Sequence, residues 1–255
     1  MNTTVIDSFP RPDLSARRVV IIGGTGRVGE GIVSAWLRDG AEVVVPTRAE
    51  SRGAELREYL ADVDSQRLHL AIGEYTSFAT AQAMAESITS QYGPVTDVIA
   101  SIGGWWQGKP LWEVTEDEWQ HFNQDLSTAH VANIRAWLPI LPSTGSYHLI
   151  LGGSASKPVP GSSIISMEQA GLLMMHRVLT AEAGDQRRVF AHELGPVATR
   201  QRPFIDPDWV SNQELGLVSE TLAANPGMAS EHFLLRGKHH VRQVLEQATA
   251  GTTRS

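Results

Sequence analysis

The feature that most constrains this chain is Val19-Val20-Ile21-Ile22, followed at once by Gly23-Gly24-Thr25-Gly26-Arg27-Val28-Gly29. A short unbroken run of Val and Ile reads as a strand buried on both faces of a parallel sheet. An apolar helical pattern through Ile32, Val33, Trp36 and Leu37 comes next. Strand, glycine turn and helix in that order make the first half of a dinucleotide-binding βαβ unit. Gly23 permits the tight turn, Gly26 lets backbone approach a pyrophosphate, and Gly29 lets the helix pack closely on its strand. The helix N-terminus would then face the anion. Gly23, Thr25, Gly26, Arg27, Val28 and Gly29 are therefore the candidate cofactor cradle. Glycine-rich turns also close strands for structural reasons alone; the flanking strand and helix give this one its meaning.

The same alternation continues along the chain. Strands are expected over residues 18–22, 42–45, 68–72, 97–102, 147–151 and 189–194. Helices are expected over 27–38, 49–61, 78–92, 116–138 and 164–183. Beyond Pro196 the pattern weakens to a helix over 208–224, a short strand over 233–235 and a last helix over 239–247. Strands alternating with helices of this length imply an α/β fold with a doubly wound parallel sheet, the Rossmann architecture, in a single domain. That domain is expected over 18–247, after an irregular N-terminal arm over 1–17 and before a disordered tail over 248–255.

Composition narrows the partners. A formal charge of −7 argues against affinity for nucleic acid or anionic membranes. No apolar run approaches the ~20 residues that span a bilayer, and the polar start with Asp7 and Asp13 is not a secretory signal. A soluble, cytoplasmic protein with a small-molecule substrate is the expectation. With no cysteine in the chain, disulfides, thiolate chemistry and cysteine-bound zinc are excluded, and no metal site is expected.

Several local motifs resemble those of the short-chain dehydrogenase/reductase family over residues 18–224. Gly93-Pro94-Val95-Thr96-Asp97-Val98-Ile99 is similar to the family's lead-in to its fourth strand. Pro110-Leu111 followed by Thr115-Glu116-Asp117-Glu118-Trp119 is similar to the entry into its fourth helix. Leu194-Gly195-Pro196-Val197-Ala198-Thr199 resembles the family's Pro-Gly-Pro-Val-x-Thr segment. That resemblance implies that Val197 and Thr199 meet the nicotinamide amide and the phosphates. It also implies pairing into a homodimer or homotetramer, which the apolar helix over 164–183 permits.

Cofactor choice is read at the end of the second strand. NAD-binding versions carry a carboxylate there, and NADP-binding versions an arginine for the 2′-phosphate. Here Thr47-Arg48 stands at that point, with Arg52 one turn on, and guanidinium suits a phosphate dianion by its bidentate geometry. NADP(H) is the expected cofactor. Glu74 stands where the family places an acidic residue near the adenine.

The resemblance fails at the family's Ser, Tyr and Lys. Alignment puts Ile165 at the tyrosine, Gln169 at the lysine and Gly152 or Gly153 at the serine, and no tyrosine follows Tyr147. The family's relay asparagine falls on Asp125 or Leu126. Gln169 can still bond a ribose hydroxyl but brings no charge. Trp105-Trp106, in a glycine-flanked loop, offer an aromatic wall for a flat substrate. Trp106, Lys157, Asp125 and Gln169 are the candidate catalytic residues, with Lys109 a second candidate cation. Glu168 neighbours the same helix face, Ser154 and Ser156 could bind a carbonyl oxygen, and His148 and His176 suit structural roles. Three readings stay open: an NADP(H)-dependent oxidoreductase acting on an aromatic, imine or enone substrate with a non-standard site; an inactive NADP(H) sensor; and a non-redox isomerase or cyclase holding the cofactor as scaffold.

Overall fold

The computed structural model describes residues 8–250. Its main sheet has seven strands in the order β3-β2-β1-β4-β5-β6-β9, all parallel. These are β1 (Arg18–Ile22), β2 (Glu42–Thr47), β3 (Leu68–Ile72), β4 (Asp97–Ala100), β5 (Ser146–Gly152), β6 (Val189–Leu194) and β9 (His232–Leu235). Strands β7 (Val197–Ala198) and β8 (Val210–Ser211) form a separate two-stranded ladder that the sequence pattern did not suggest.

Helices cover both faces. On one side α1 (Gly29–Arg38), α2 (Glu50–Tyr59), α7 (Asn212–Ala224) and α8 (Lys238–Ala250) bury Ile32, Trp36, Leu56, Leu217 and Leu245 against the sheet. On the other, α3 (Phe78–Tyr92), α5 (Ala129–Trp137) and α6 (Ser163–Ala183) bury Ile88, Trp137 and Leu172. Because the strands are covered on both sides, they read as near-continuous apolar runs. Chain order reverses between β1 and β4, so the crevice beyond their C-terminal ends is where such a sheet takes a ligand.

Most boundaries fall within a few residues of expectation, and the departures have local causes. The helix expected over 116–138 is divided: α4 (Glu116–Asn123) passes through a π-helical turn at Gln124–Thr128 before α5 begins. The helix expected from residue 208 starts at Asn212 because Ser211 accepts from the Glu214 N–H while the Glu214 carboxylate accepts from the Ser211 N–H. The expected tail is helical through Ala250, with Ala248 buried; residues 251–255 lie outside the described residues, as do residues 1–7 of the arm. From Ser8 to Arg17 the described residues form no α-helix or strand, and this segment is docked on the domain. Leu14 is fully buried and Arg11 bonds Asp39 at 2.6 Å.

A buried polar chain crosses the N-terminal half of the sheet. Ser146 Oγ donates to Asp97 (2.6 Å), His148 bonds the same hydroxyl (2.9 Å), and His148 and His192 share a hydrogen bond of 2.9 Å. His176 bonds the Val189 carbonyl. Burial lowers the pKa of each of these histidines and keeps the rings neutral.

Candidate functional site

A cleft of about 460 Å³ opens at the C-terminal ends of β1, β2 and β4. Its floor is the glycine turn, through Gly23, Thr25 and Gly26. Gly23 sits at φ +78°, and a side chain there would collide with the Ser101 carbonyl. A Cβ on Gly29 would strike the Gly23 carbonyl, so α1 can lie this close to the turn only with glycine there. The residue before α1, Val28, makes no side-chain cap. Two first-turn groups are accounted for differently: Glu30 N–H bonds the Gly26 carbonyl, and the Glu30 carboxylate accepts from Arg27 (3.2 Å) and from Arg200 (2.9 and 3.1 Å). A small-residue turn leading into an uncapped helix start fits a dinucleotide pyrophosphate. The Arg27 side chain is engaged by Glu30 and Glu55, and Val28 packs on the core; neither lines the cleft.

One end of the cleft is cationic. Arg48 and Arg52 both line it, and Arg52 also donates to the Thr25 carbonyl at 3.3 Å. Opposite them Asp125, at the start of the π-helical turn, lies 3.9 Å from Arg48. Tyr75 completes this end. Its backbone carbonyl accepts from Asn133 and that of Thr76 from Gln124, at 2.9 and 2.6 Å. Burial raises the Tyr75 phenol pKa, opposed by the Arg48 charge. Glu74 is exposed and lines a second cavity beside β3 and α3, so Tyr75 takes the place in the cleft expected of Glu74.

The other end is apolar. Ile165, Phe122 and Leu126 line it with His121. Trp106 packs on Phe122 with ring centres 5.6 Å apart, and its carbonyl accepts from the buried Ser162 hydroxyl at 2.6 Å. Its neighbour Trp105 is 64% exposed, so the two rings diverge. Gln169 is buried, and its side-chain carbonyl accepts from the Gly152 N–H at 2.9 Å, pinning the end of β5.

The family model described as enoyl-(acyl carrier protein) reductase matches residues 26–214. This chain belongs to the short-chain dehydrogenase/reductase family. A hydroxysteroid 11-beta-dehydrogenase 1-like protein of Xenopus tropicalis is 28% identical over 158 residues, which is 60% of this chain and 54% of that protein. An uncharacterized oxidoreductase of Bacillus subtilis is 26% identical over 167 residues, covering 64% of this chain and 62% of its own length. The chain thus spans little more than half the length of these relatives. Among solved structures, a short chain oxidoreductase of Pseudomonas aeruginosa described as containing an atypical catalytic center shares the fold. Its apo form has a TM-score of 0.77 at 20% identity, covering 88% of this chain and 97% of that one. The same protein has also been solved with NADPH bound.

Members of this family bind nicotinamide cofactors, and the structure sorts the residues expected at such a site. Gly23, Thr25, Gly26, Arg48 and Asp125 meet in the cleft, Gly29 lies directly beneath, and Trp106 stands behind Phe122. Asp125 lines the cleft with its carboxylate 3.9 Å from Arg48. Contrary to expectation, Lys157 is exposed and does not line the cleft. Lys109 is held by Glu118 at 2.7 Å, an interaction that draws the Glu118 pKa down to about 2. Val197 is buried in the β7–β8 ladder, and the Thr199 carbonyl accepts from Arg202 N–H; neither lines the cleft. Ser156 donates to the buried Glu193, away from the cleft. Glu168 is buried at the α4–α6 seam, bonded by Asn123 at 3.1 Å, and burial raises its pKa. Sequence reasoning missed Tyr75 and His121; an aromatic straight after the third strand was the one available signal. Among the described residues no cluster could hold a metal ion, and no helix is long and apolar enough to cross a membrane.

Proposed function

We propose that this chain is an NADP(H)-dependent oxidoreductase with a non-standard active site. It moves hydride between the nicotinamide and a small organic substrate held at the Trp106–Phe122 end of the cleft. The observation that carries the cofactor choice is the pair Arg48 and Arg52 on the cleft wall, where Thr47 stands in place of a carboxylate and is buried, its hydroxyl donating to the Ala49 carbonyl. Two guanidinium groups there attract a 2′-phosphate, and a ribose diol gains little from them.

When bound, the nicotinamide supplies or accepts a hydride. The chain's own residues do the rest. The backbone at Gly23, Thr25 and Gly26 and the start of α1 hold the pyrophosphate; Arg48 and Arg52 hold the 2′-phosphate; Tyr75 covers the adenosine. Ile165 occupies the place of the family's tyrosine and moves no proton. Gln169, at the lysine position, fixes the Gly152 backbone. Proton transfer is therefore separated from the family's usual helix, and substrates that need none, such as iminium ions, suit the apolar end. Assembly into a dimer or tetramer goes through the outer face of α6.

Ile165 also favours a second reading, an NADP(H) sensor without turnover. Fluorescence titration with NADPH and NADH tests the cofactor assignment: NADPH is expected to bind at least tenfold tighter, and equal affinities would refute it. A turnover screen on ketones, iminium ions and enones separates the two readings. Tight NADPH binding with no turnover of any substrate would favour the sensor.

A further inference from the structure

We infer that His121 is the proton-transferring residue of this cleft, donating to the oxygen of a carbonyl substrate that lies against Phe122 and Ile165. The inference rests on the oxidoreductase reading above and extends its substrate class from iminium ions to carbonyls.

Apart from the Ser and Thr hydroxyls and the arginines, three side chains lining the cleft can serve as a proton donor or acceptor: Tyr75, His121 and Asp125. Two of them belong to the cationic end. Asp125 is paired with Arg48, and Tyr75 lies within the field of Arg48, Arg52 and Asp125. His121 remains. It lies one helical turn before Asp125, a rise of about 6 Å along the helix, and it lines the cleft together with the apolar Phe122, Leu126 and Ile165. The His121 ring meets Phe122 edge-on at 5.0 Å, and Phe122 in turn packs on Trp106. Ile165 lines the same cleft and offers no competing donor.

The helix that presents His121 is fixed. Thr115 and Glu118 form a reciprocal cap at its start, and Lys109 bonds the same Glu118 carboxylate at 2.8 Å. His121 itself is exposed. Water can therefore restore its proton after each turnover.

The step balances without another reactant. A reduced nicotinamide supplies the hydride to the carbonyl carbon. As the C=O π pair moves onto oxygen, that oxygen takes the proton from the His121 imidazolium N–H. An alcohol, an oxidised nicotinamide and a neutral imidazole result. An N-alkyl iminium substrate gains hydride at carbon, its π pair returns to nitrogen, and no proton is required.

That difference supplies the test. Turnover of phenanthrenequinone and of N-methyl-dihydroisoquinolinium is measured with NADPH for the wild type, His121→Gln and His121→Asn. The quinone-to-iminium rate ratio is expected to fall about 100-fold in both variants, the usual contribution of a positioned acid. Independently of activity, diethyl pyrocarbonate modification of His121, followed by peptide mass mapping, should slow several-fold when NADPH fills the cleft. Modification of the exposed His239, which does not line the cleft, should not change. An unchanged rate ratio, or His121 labelling indifferent to NADPH, overturns the assignment and leaves the oxidoreductase reading standing. NADPH binding with no turnover of either probe by the wild type overturns both.

Discussion

The Arg48 guanidinium and the Asp125 carboxylate face each other across the mouth of the cleft at 3.9 Å, both partly open to water. The pair joins the end of β2 to the π-helical turn after α4, so the cation best placed for a cofactor phosphate already has a competitor. A half-exposed pair of this kind is worth about 0.2–1 kcal/mol. Asp125→Ala is therefore predicted to tighten NADPH binding about twofold to fivefold, within that range, while leaving NADH affinity nearly unchanged. Arg48→Ala should weaken NADPH about tenfold or more, the loss of one charge-assisted hydrogen bond, and should abolish the effect of Asp125→Ala in the double variant. Fluorescence titrations of the four proteins with both dinucleotides decide it. Equal weakening of NADPH and NADH by Asp125→Ala would mean that Asp125 bonds the dinucleotide itself.

The outer parts of this site were legible and its middle was not. β1, the glycine turn and α1 are encoded within 21 consecutive residues, Arg18 to Arg38, so buried-strand pattern and turn chemistry place them without tertiary knowledge. Arg48 follows for the same reason. Tyr75 rather than Glu74 lines the cleft, and the sequence could not show this because the loop is held through the Tyr75 and Thr76 carbonyls by Asn133 and Gln124, both far along the chain. The pairing of Asp125 with Arg48 was not legible, because it joins two segments far apart in the chain, and the π-helical turn that begins there is not registered by a 3.6-residue periodicity. His121 carries no motif at all. Only its place on the cleft wall with Phe122 and Ile165 gives it meaning.

Gln169 shows how a position can keep its place and change its task. Its side-chain carbonyl holds the Gly152 N–H at 2.9 Å in a largely dry environment. Gln169→Ala removes that acceptor, and an unsatisfied backbone donor of this kind costs about 1–3 kcal/mol. The melting temperature should fall by roughly 2–10 °C for a chain of this size, with a smaller effect on NADPH affinity. The opposite pattern, an unchanged melt with much weaker NADPH binding, would return Gln169 to the cofactor site.

The buried histidines make the fold sensitive to acid. Burial pulls the His130 pKa down to about 4 and that of His192 to about 3. Below the ordinary histidine range of about 6.5 the unfolded chain takes up protons that the folded chain refuses, so stability falls as pH drops. Each such residue contributes a loss of roughly 1.4 kcal/mol per pH unit once its unfolded form is protonated. The urea midpoint should therefore decline between about pH 6.5 and 5, above the range where most carboxylates titrate. His192→Gln should flatten the slope. A midpoint independent of pH across this window would mean that the folded chain takes up as many protons as the unfolded one, at these rings or at Glu168 and Glu220, whose carboxyl pKa values burial raises.

The outer face of α6 leaves Met167, Met174 and Val178 exposed at 51%, 54% and 47%. Spaced seven and four residues apart, they fall on one side of the helix. Gly171 lies among them, and a side chain added there would meet nothing within 4 Å, so another backbone can come close. An apolar stripe around an open glycine, on a helix of 21 residues, matches a helix-to-helix contact between copies better than it matches a solvated surface. Met174→Glu places a charge at the centre of that stripe and away from the cleft. Light scattering coupled to size exclusion should report a dimer or tetramer for the wild type and a monomer for Met174→Glu, with NADPH still bound by the variant. A wild-type monomer would remove the assembly altogether, and an unaltered oligomer in the variant would move the contact to another face.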